Sequence, residues 1–390
     1  MPILNSAGAM HAELTAWRRH LHANPELEFD TTLTSAFVAD KLRAFGCDEV
    51  VTGVGRSGVV GIVRGARGDG PAIGLRADMD ALPIVETGSA DHASTSPGRM
   101  HACGHDGHTV MLLGAARHLA ETRNFAGTAV LIFQPAEEIG QGALAMLDDR
   151  LMERFAIERV FGMHNMPGIP AGHFAVCEGP IMASASRFTL TIRGKGGHAA
   201  RPHSVVDPII IGSQIVTALQ SIVSRSTDPL HSVVISVTRF SAGTAYNIIP
   251  EEIEIWGTVR TLQMELVAET ERRIHDIATK IAGAHGATVG FHFHTGCGVT
   301  YNRAEEARFS GETAIEIVGA PRTDLAVKPV LAGEDFSHML AARPGSFVFI
   351  GNGDTAGLHH PAYDFNDAIL PEGVSYWVRL TERALPPNGG

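Results

Sequence analysis

No stretch of this 390-residue chain approaches a run of about 18 or more apolar residues, so no membrane-spanning helix is expected. The opening MPILNSAGAMHAELTAWRRHLHANPELEF also lacks the long apolar core of an export signal. Basic stripes are missing: the net charge is −11, no long like-charge run stands behind it, and no nucleic-acid motif is present. Phosphate-backbone binding is therefore not expected, and small-molecule partners fit better. Cysteine is scarce. The four present, Cys47, Cys103, Cys177 and Cys297, lie far apart without a framework spacing, which suits a reducing, cytoplasmic compartment. Internal repeats and low-complexity tracts are absent as well.

What is present is an ordinary globular composition, 44% hydrophobic and 19% charged, on a chain longer than one hydrophobic core usually serves. Two domains are expected. Residues 10–46 read as helix-rich. Apolar strands then alternate with helical stretches: VVGIVRG, AIGLRADMD, a helix beginning near Thr109, TAVLIFQPAEE and VFGMHNM. That alternation predicts an α/β domain with a parallel or mixed sheet, whose ligands gather where strands end. From Ser184 the order becomes strand, helix, strand, strand, helix, strand, the ferredoxin-like β-α-β-β-α-β unit, inserted at 184–298. The flanking segments 1–183 and 299–390 would form one split domain, ending in SFVFIGNG and a helix near Gly373 to Leu385.

Four strand-end loops offer metal-capable side chains. His101-Ala-Cys103-Gly-His105-Asp-Gly-His108 precedes a helical pattern, and residues two apart in an extended loop can face one ion. Equally, such histidines can be capping or surface residues. Pro135-Ala-Glu137-Glu138 sets two carboxylates after a strand, where one can be a ligand and the other a base, or both can be solvated acids at a helix start. His164 ends another strand, and His359-His360 occupies a late loop. Each histidine alone is ordinarily a satisfied polar residue. Their concurrence at strand ends of one sheet points to a metal site.

The segments RRHLHANPELEF, RADMDALP, HACGHDGH, PAEEIGQGA, GMHNMPG, GKGGHAARPH, YNIIPEE, WGTVRT, AGEDF and GLHHPAYDFND, in that order from about residue 17 to 385, resemble the peptidase M20 clan. The branch they resemble is that of hippurate hydrolase and indole-acetyl-amino-acid hydrolase. The resemblance implies a split catalytic domain with an inserted dimerisation or lid domain. It implies Cys103, His105, Glu138, His164 and His359 as ligands of two divalent ions per subunit, and Glu137 as the catalytic base. His359 is preferred to His360 because relatives commonly read His-Ser-Pro there. Other branches carry His-x-Asp where this chain has Asp78-Met-Asp80, so that histidine ligand is absent. Asp80 would orient a ligand or cap a loop. By the same resemblance Asn247 and Arg260 bind the substrate carboxylate, a role suited to the planar guanidinium fork, and His198 reaches the neighbouring subunit's site to polarise the scissile carbonyl.

The implied activity is metal-dependent hydrolysis of N-acyl amino acids, hippurate-like substrates among them, in a homodimer or a tetramer built from dimers. Thiolate, imidazole and carboxylate ligands suit Zn²⁺ or Mn²⁺, with Co²⁺ or Ni²⁺ also compatible. The competing readings are an N-acetyl-amino-acid or N-acetyl-diaminopimelate deacetylase and a non-catalytic binder of metal or amino-acid conjugates.

Overall fold

The computed structural model describes residues 3–387. The chain folds into two compact units: Met1–Ile181 with Tyr301–Lys328 and Asp335–Gly390, and Met182–Thr300 with Pro329–Glu334. The second unit thus includes a short late segment that hydropathy does not mark. Pro329–Glu334 joins it through backbone bonds, with Ala183 N–H donating to the Val330 and Ala332 carbonyls.

In the first unit the described residues form an eight-stranded sheet, ordered Glu49–Val54, Gly58–Arg64, Thr128–Gln134, Ala72–Asp78, Ile157–Pro167, Gly345–Gly353, Phe174–Ala175, Thr323–Asp324. The sheet is mixed, as the alternation of strands and helices predicts. Its middle four strands run parallel, so their carboxyl ends lie along one edge. Strands Gly58–Arg64 and Thr128–Gln134 are buried on both faces, which is why GVVGIV and AVLIF read as continuous apolar runs with no alternation. Helices His11–Ala23, His105–Thr122 and Leu370–Ala384 pack together over one face, around a core that includes Leu14, Leu113, Val374 and Leu75.

The second unit realises the β-α-β-β-α-β order. Its antiparallel sheet runs Thr288–Cys297, Ser184–Arg193, Glu252–Thr261, Val233–Ala242, that is fourth, first, third, second in chain order, the ferredoxin-like arrangement. Helices Pro208–Ser221 and Met264–Ala284 cover one face through Ile211, Ile215 and Ile274 against Phe188, Leu190 and Ile192. The intervening Arg187, Thr189 and Thr191 point the other way, giving the alternation of a sheet with one apolar face. Asp207 caps the first helix through the Ile209 N–H, and Pro208 fills its first turn. A further ribbon pairs Gly197–His198 with Ile248–Ile249.

Candidate metal centre

The carboxyl edge of the parallel strands gathers the metal-capable side chains of the first unit. His105, Glu137 and Glu138 present donor atoms within 4.8 Å of one another, and so do Cys103, Glu138 and His359, and also Asp78, His105, His108 and His164. Cys103 Sγ lies 3.4 Å from His164 Nε2, and His359 Nε2 lies 3.4 Å from Glu138 Oε2. His105 Nε2 stands 3.6 Å from Asp78 Oδ2 and 3.9 Å from Glu138 Oε1.

Backbone carbonyls set the tautomers. A carbonyl oxygen can only accept, so His105 Nδ1–H donates to Asp80 O at 2.8 Å and His164 Nδ1–H donates to Asn165 O at 2.6 Å. Both rings therefore turn Nε2 toward the centre, the nitrogen that a metal would take once it carries no proton. His105 Nε2 and Glu138 Oε1 are buried without a well-directed hydrogen-bond partner among the described residues. Orphaned polar atoms of this kind are costly unless a ligand satisfies them. A divalent cation matches their chemistry, and the residues present fit such an ion.

The charges agree with that fit. Burial pushes the Cys103 thiol well up, and the nearby Glu138 carboxylate adds to the rise. Burial likewise lifts Glu138 to about 7, with Asp80 and Asp78 adding to the rise against the opposing pull of His105. For His105 burial opposes the charged form, but Asp78 and then Cys103 outweigh it and hold the ring well above its usual value. Burial and the neighbouring His108 keep His164 well below its usual value, hence neutral. Without a cation, Cys103 and His105 hold protons that metal binding must release.

Two local expectations need correction. The helix begins at His105, not near Thr109, with Gly104 at φ 89° as its N-cap. Cys103 and His105 therefore do not share a side of an extended loop; a left-handed glycine and a helix start bring them together. The adjacent glutamates are not at a helix start either. They sit in a turn after Ala136, at φ 55°, with Glu137 buried and Glu138 partly so.

Asp80 accepts the N–H groups of Glu137 (3.0 Å) and Glu138 (3.1 Å) on its two carboxylate oxygens, while its carbonyl holds His105. His359, itself at φ 63°, faces Glu138, whereas His360 Nδ1 accepts the Ala362 N–H. Within the second unit, His198 and Asn247 meet on the short ribbon, where Ala199 N–H donates to Asn247 O, and the exposed His198 ring accepts the Ala200 N–H. Arg260 lies apart from them on strand Glu252–Thr261. It is half-buried, with its pKa lowered by that burial, and among the described residues it reaches the Ser186 and Val259 carbonyls.

Sequence reasoning missed the partners beneath the donors. His108 donates from Nδ1 to Asp78 Oδ1 (2.6 Å) and accepts the Asn165 N–H at Nε2 (2.9 Å), so neither nitrogen is free for a metal. Its spacing of three from His105 would have placed both on one helix face had the helix start been known. Asp78 is also held by Arg76, which spans to Asp335 and Gln134. Arg18 and His22 reach Asp106 from the helix His11–Ala23. No sequence spacing announces these contacts.

The peptidase family M20/M25/M40 model matches residues 74–383. Hippurate hydrolase of Campylobacter jejuni is 40% identical over 96% of this chain and 97% of its own length. N-acetylcysteine deacetylase of Bacillus subtilis is 38% identical over 95% and 97%. IAA-amino acid hydrolase ILR1-like 5 of Arabidopsis thaliana is 38% identical over 94% and 86%. The crystal structure of the Bacillus subtilis YXEP protein, a dinuclear metal binding peptidase from the M20 family, superposes with a TM-score of 0.85 at 34% identity, covering 97% of this chain and 99% of that one. With a buried donor cluster at the strand ends and likeness over nearly its whole length, the chain belongs to peptidase family M20/M25/M40, as a metal-dependent amidohydrolase similar to hippurate hydrolase.

Proposed function

We propose that the enzyme hydrolyses the amide bond of N-acyl amino acids, hippurate-like aryl-acyl conjugates above all, to a carboxylic acid and an amino acid. The observation that carries this reading is the meeting of the inward-turned His105 and His164 Nε2 atoms with Cys103, Glu138 and His359, beside a second carboxylate, Glu137. Cys103, His105, Glu138, His164 and His359 would hold two divalent ions, Zn²⁺ or Mn²⁺ foremost, with Co²⁺ and Ni²⁺ also suited to the donors. Bound there, such ions lower the pKa of water and polarise the acyl carbonyl. Glu137 takes the proton of the attacking water and returns it to the departing amine nitrogen. Asp80 holds the Glu137–Glu138 turn and His105 in register.

Arg260 grips the carboxylate of the amino-acid portion, and Asn247, which lies apart from Arg260 within one chain, reaches that carboxylate from the partner subunit alongside His198. Arg260 suits this because no carboxylate among the described residues pairs with its guanidinium. His198 donates to the oxyanion as the amide carbonyl is attacked, a contribution of about 3 kcal/mol for one such donor. We assign His198 to the partner subunit's reaction, in a homodimer or a dimer-based tetramer.

The test is a hydrolysis screen of N-benzoyl, N-acetyl and indole-acetyl amino acids after metal reconstitution. Faster turnover of N-benzoylglycine than of any N-acetyl amino acid is expected. A reversed order favours a deacetylase, the activity named for two Bacillus subtilis relatives at 38% identity. No turnover of any conjugate by fully metal-loaded protein overturns the proposal.

A further inference from the structure

Asn165 is the next residue after His164 and is completely buried, yet the proposed chemistry gives it no part. Every polar group it owns is used. Its N–H donates to His108 Nε2 at 2.9 Å, and its carbonyl accepts the His164 Nδ1–H at 2.6 Å. Its side-chain Nδ2 donates to the Cys103 carbonyl at 2.6 Å, and its Oδ1 accepts the Tyr363 hydroxyl at 2.7 Å. The amide also presses against Gly104: a Cβ there would lie 2.3 Å from Asn165 Nδ2 and 2.5 Å from Tyr363 Oη. One residue therefore touches the loop of Cys103, the ring of His164, the His108–Asp78 pair and, through Tyr363, the loop that carries His359.

We infer that the Tyr363–Asn165 hydrogen bond is a tie that positions the metal ligands, with Asn165 and Tyr363 as positioning residues that themselves bind no ion. The chemistry is specific. Cys103 O needs a donor and the Tyr363 O–H an acceptor, and an amide supplies both, as a carboxylate or an aliphatic group does not. Tyr363 is fully buried with its phenol pushed well up, so it remains a neutral donor. Cys103, seated on the amide, and His164, seated on the Asn165 carbonyl, face each other at 3.4 Å. A rotation of Asn165 would move both donors together. Outer partners of metal ligands commonly change affinity by on the order of 10- to 100-fold.

The inference rests on Cys103 and His164 binding metal, and the test separates the two ideas. The full chain is stripped with a chelator and titrated with Co²⁺, following the sulfur-to-cobalt charge-transfer absorption that reports Cys103. Tyr363→Phe keeps the ring volume and removes one hydroxyl. It should raise the Co²⁺ dissociation constant on the order of 10- to 100-fold and shift the band, with KM for substrate unchanged at saturating metal. Asn165→Ala should lose at least as much, and the double variant no more than Asn165→Ala, because both changes cut one tie. Ser310→Ala removes a buried hydroxyl bond to Ser346 (2.7 Å) in the same unit and should leave Co²⁺ binding unaltered. If Tyr363→Phe only lowers the melting temperature, leaving the band and dissociation constant at wild-type values, the positioning role is overturned; Tyr363→Phe decides this even should Asn165→Ala fail to fold. Additive losses in the double variant also overturn it. Absence of the band in the wild type removes ligation by Cys103 and the tie with it.

Discussion

At the scale of single residues, the adjacent glutamates carry a division of labour that can be tested. Glu138 has one carboxylate oxygen toward His359 and an orphaned one toward His105, whereas Glu137 Oε1 lies 3.4 Å from the Asp335 N–H. Glu137→Gln is expected to retain metal and lose on the order of 100- to 10,000-fold in kcat. Glu138→Ala is expected to lose metal occupancy first, and elemental analysis of both variants decides; the reverse pattern would exchange the two roles. Cys103 offers a second test. Its thiol in the metal-free protein is held well up by burial and Glu138, and a cation would fix it as a ligand thiolate. Thiol-directed reagents should then modify Cys103 faster in the metal-free protein than in the loaded one, read as activity lost after metal reconstitution, and equal rates would exclude Cys103 from the site.

At the scale of elements, the helices His11–Ala23 and His105–Thr122 are joined under the metal centre by a buried charge network. His22 Nδ1 bonds Asp106 Oδ2 at 2.8 Å, with Glu86 on its other nitrogen and Arg18 3.7 Å from the same Asp106 oxygen. Burial opposes the imidazolium, but the Asp106 and Glu86 hydrogen bonds outweigh it and raise His22 from 6.5 to about 9. A raised histidine contributes stability that is fully present below its unfolded pKa and is lost as pH rises through the folded one. Between about pH 6.5 and 9 the advantage of the wild type over His22→Gln should shrink by at most about 3 kcal/mol. Denaturant unfolding of both proteins at several pH values measures this, and parallel stability curves would show that His22 folds uncharged. The network also marks the limit of sequence reading. Apolar strands followed by His, Glu or Cys were legible because strand ends and periodicity are local signals. Arg18 with Asp367, or Asn165 with Tyr363, meet only through tertiary packing across about 200 residues or more. Gly104 belongs between these cases: a glycine before a histidine-rich run is visible, but its left-handed turn, which moved the helix start to His105, depends on what crowds it.

At the scale of the whole molecule, the proposed reaction draws groups from two units of different construction. The first buries its central strands on both faces and holds every proposed metal ligand and Glu137, while the second carries His198, Asn247 and Arg260. Its β-α-β-β-α-β order was legible because a one-faced sheet alternates polar and apolar residues. The segment Pro329–Glu334 was not, since its place in that unit rests on backbone bonds to Ala183. His198 is exposed on a two-residue strand, a position suited to service outside its own subunit. Two inactive variants test this. Glu137→Gln keeps an intact His198, and His198→Ala keeps an intact Glu137. If His198 serves the partner's site, a mixed dimer holds one site with both groups and one with neither. Equal amounts exchanged at random give about half mixed dimers, so activity should return to about a quarter of wild type. If His198 serves its own subunit, no site in any dimer of the mixture has both groups. Activity then stays at the level of the separate variants, and that outcome, with subunit exchange confirmed by differently tagged chains, removes the partner-subunit assignment while leaving the metal chemistry as proposed.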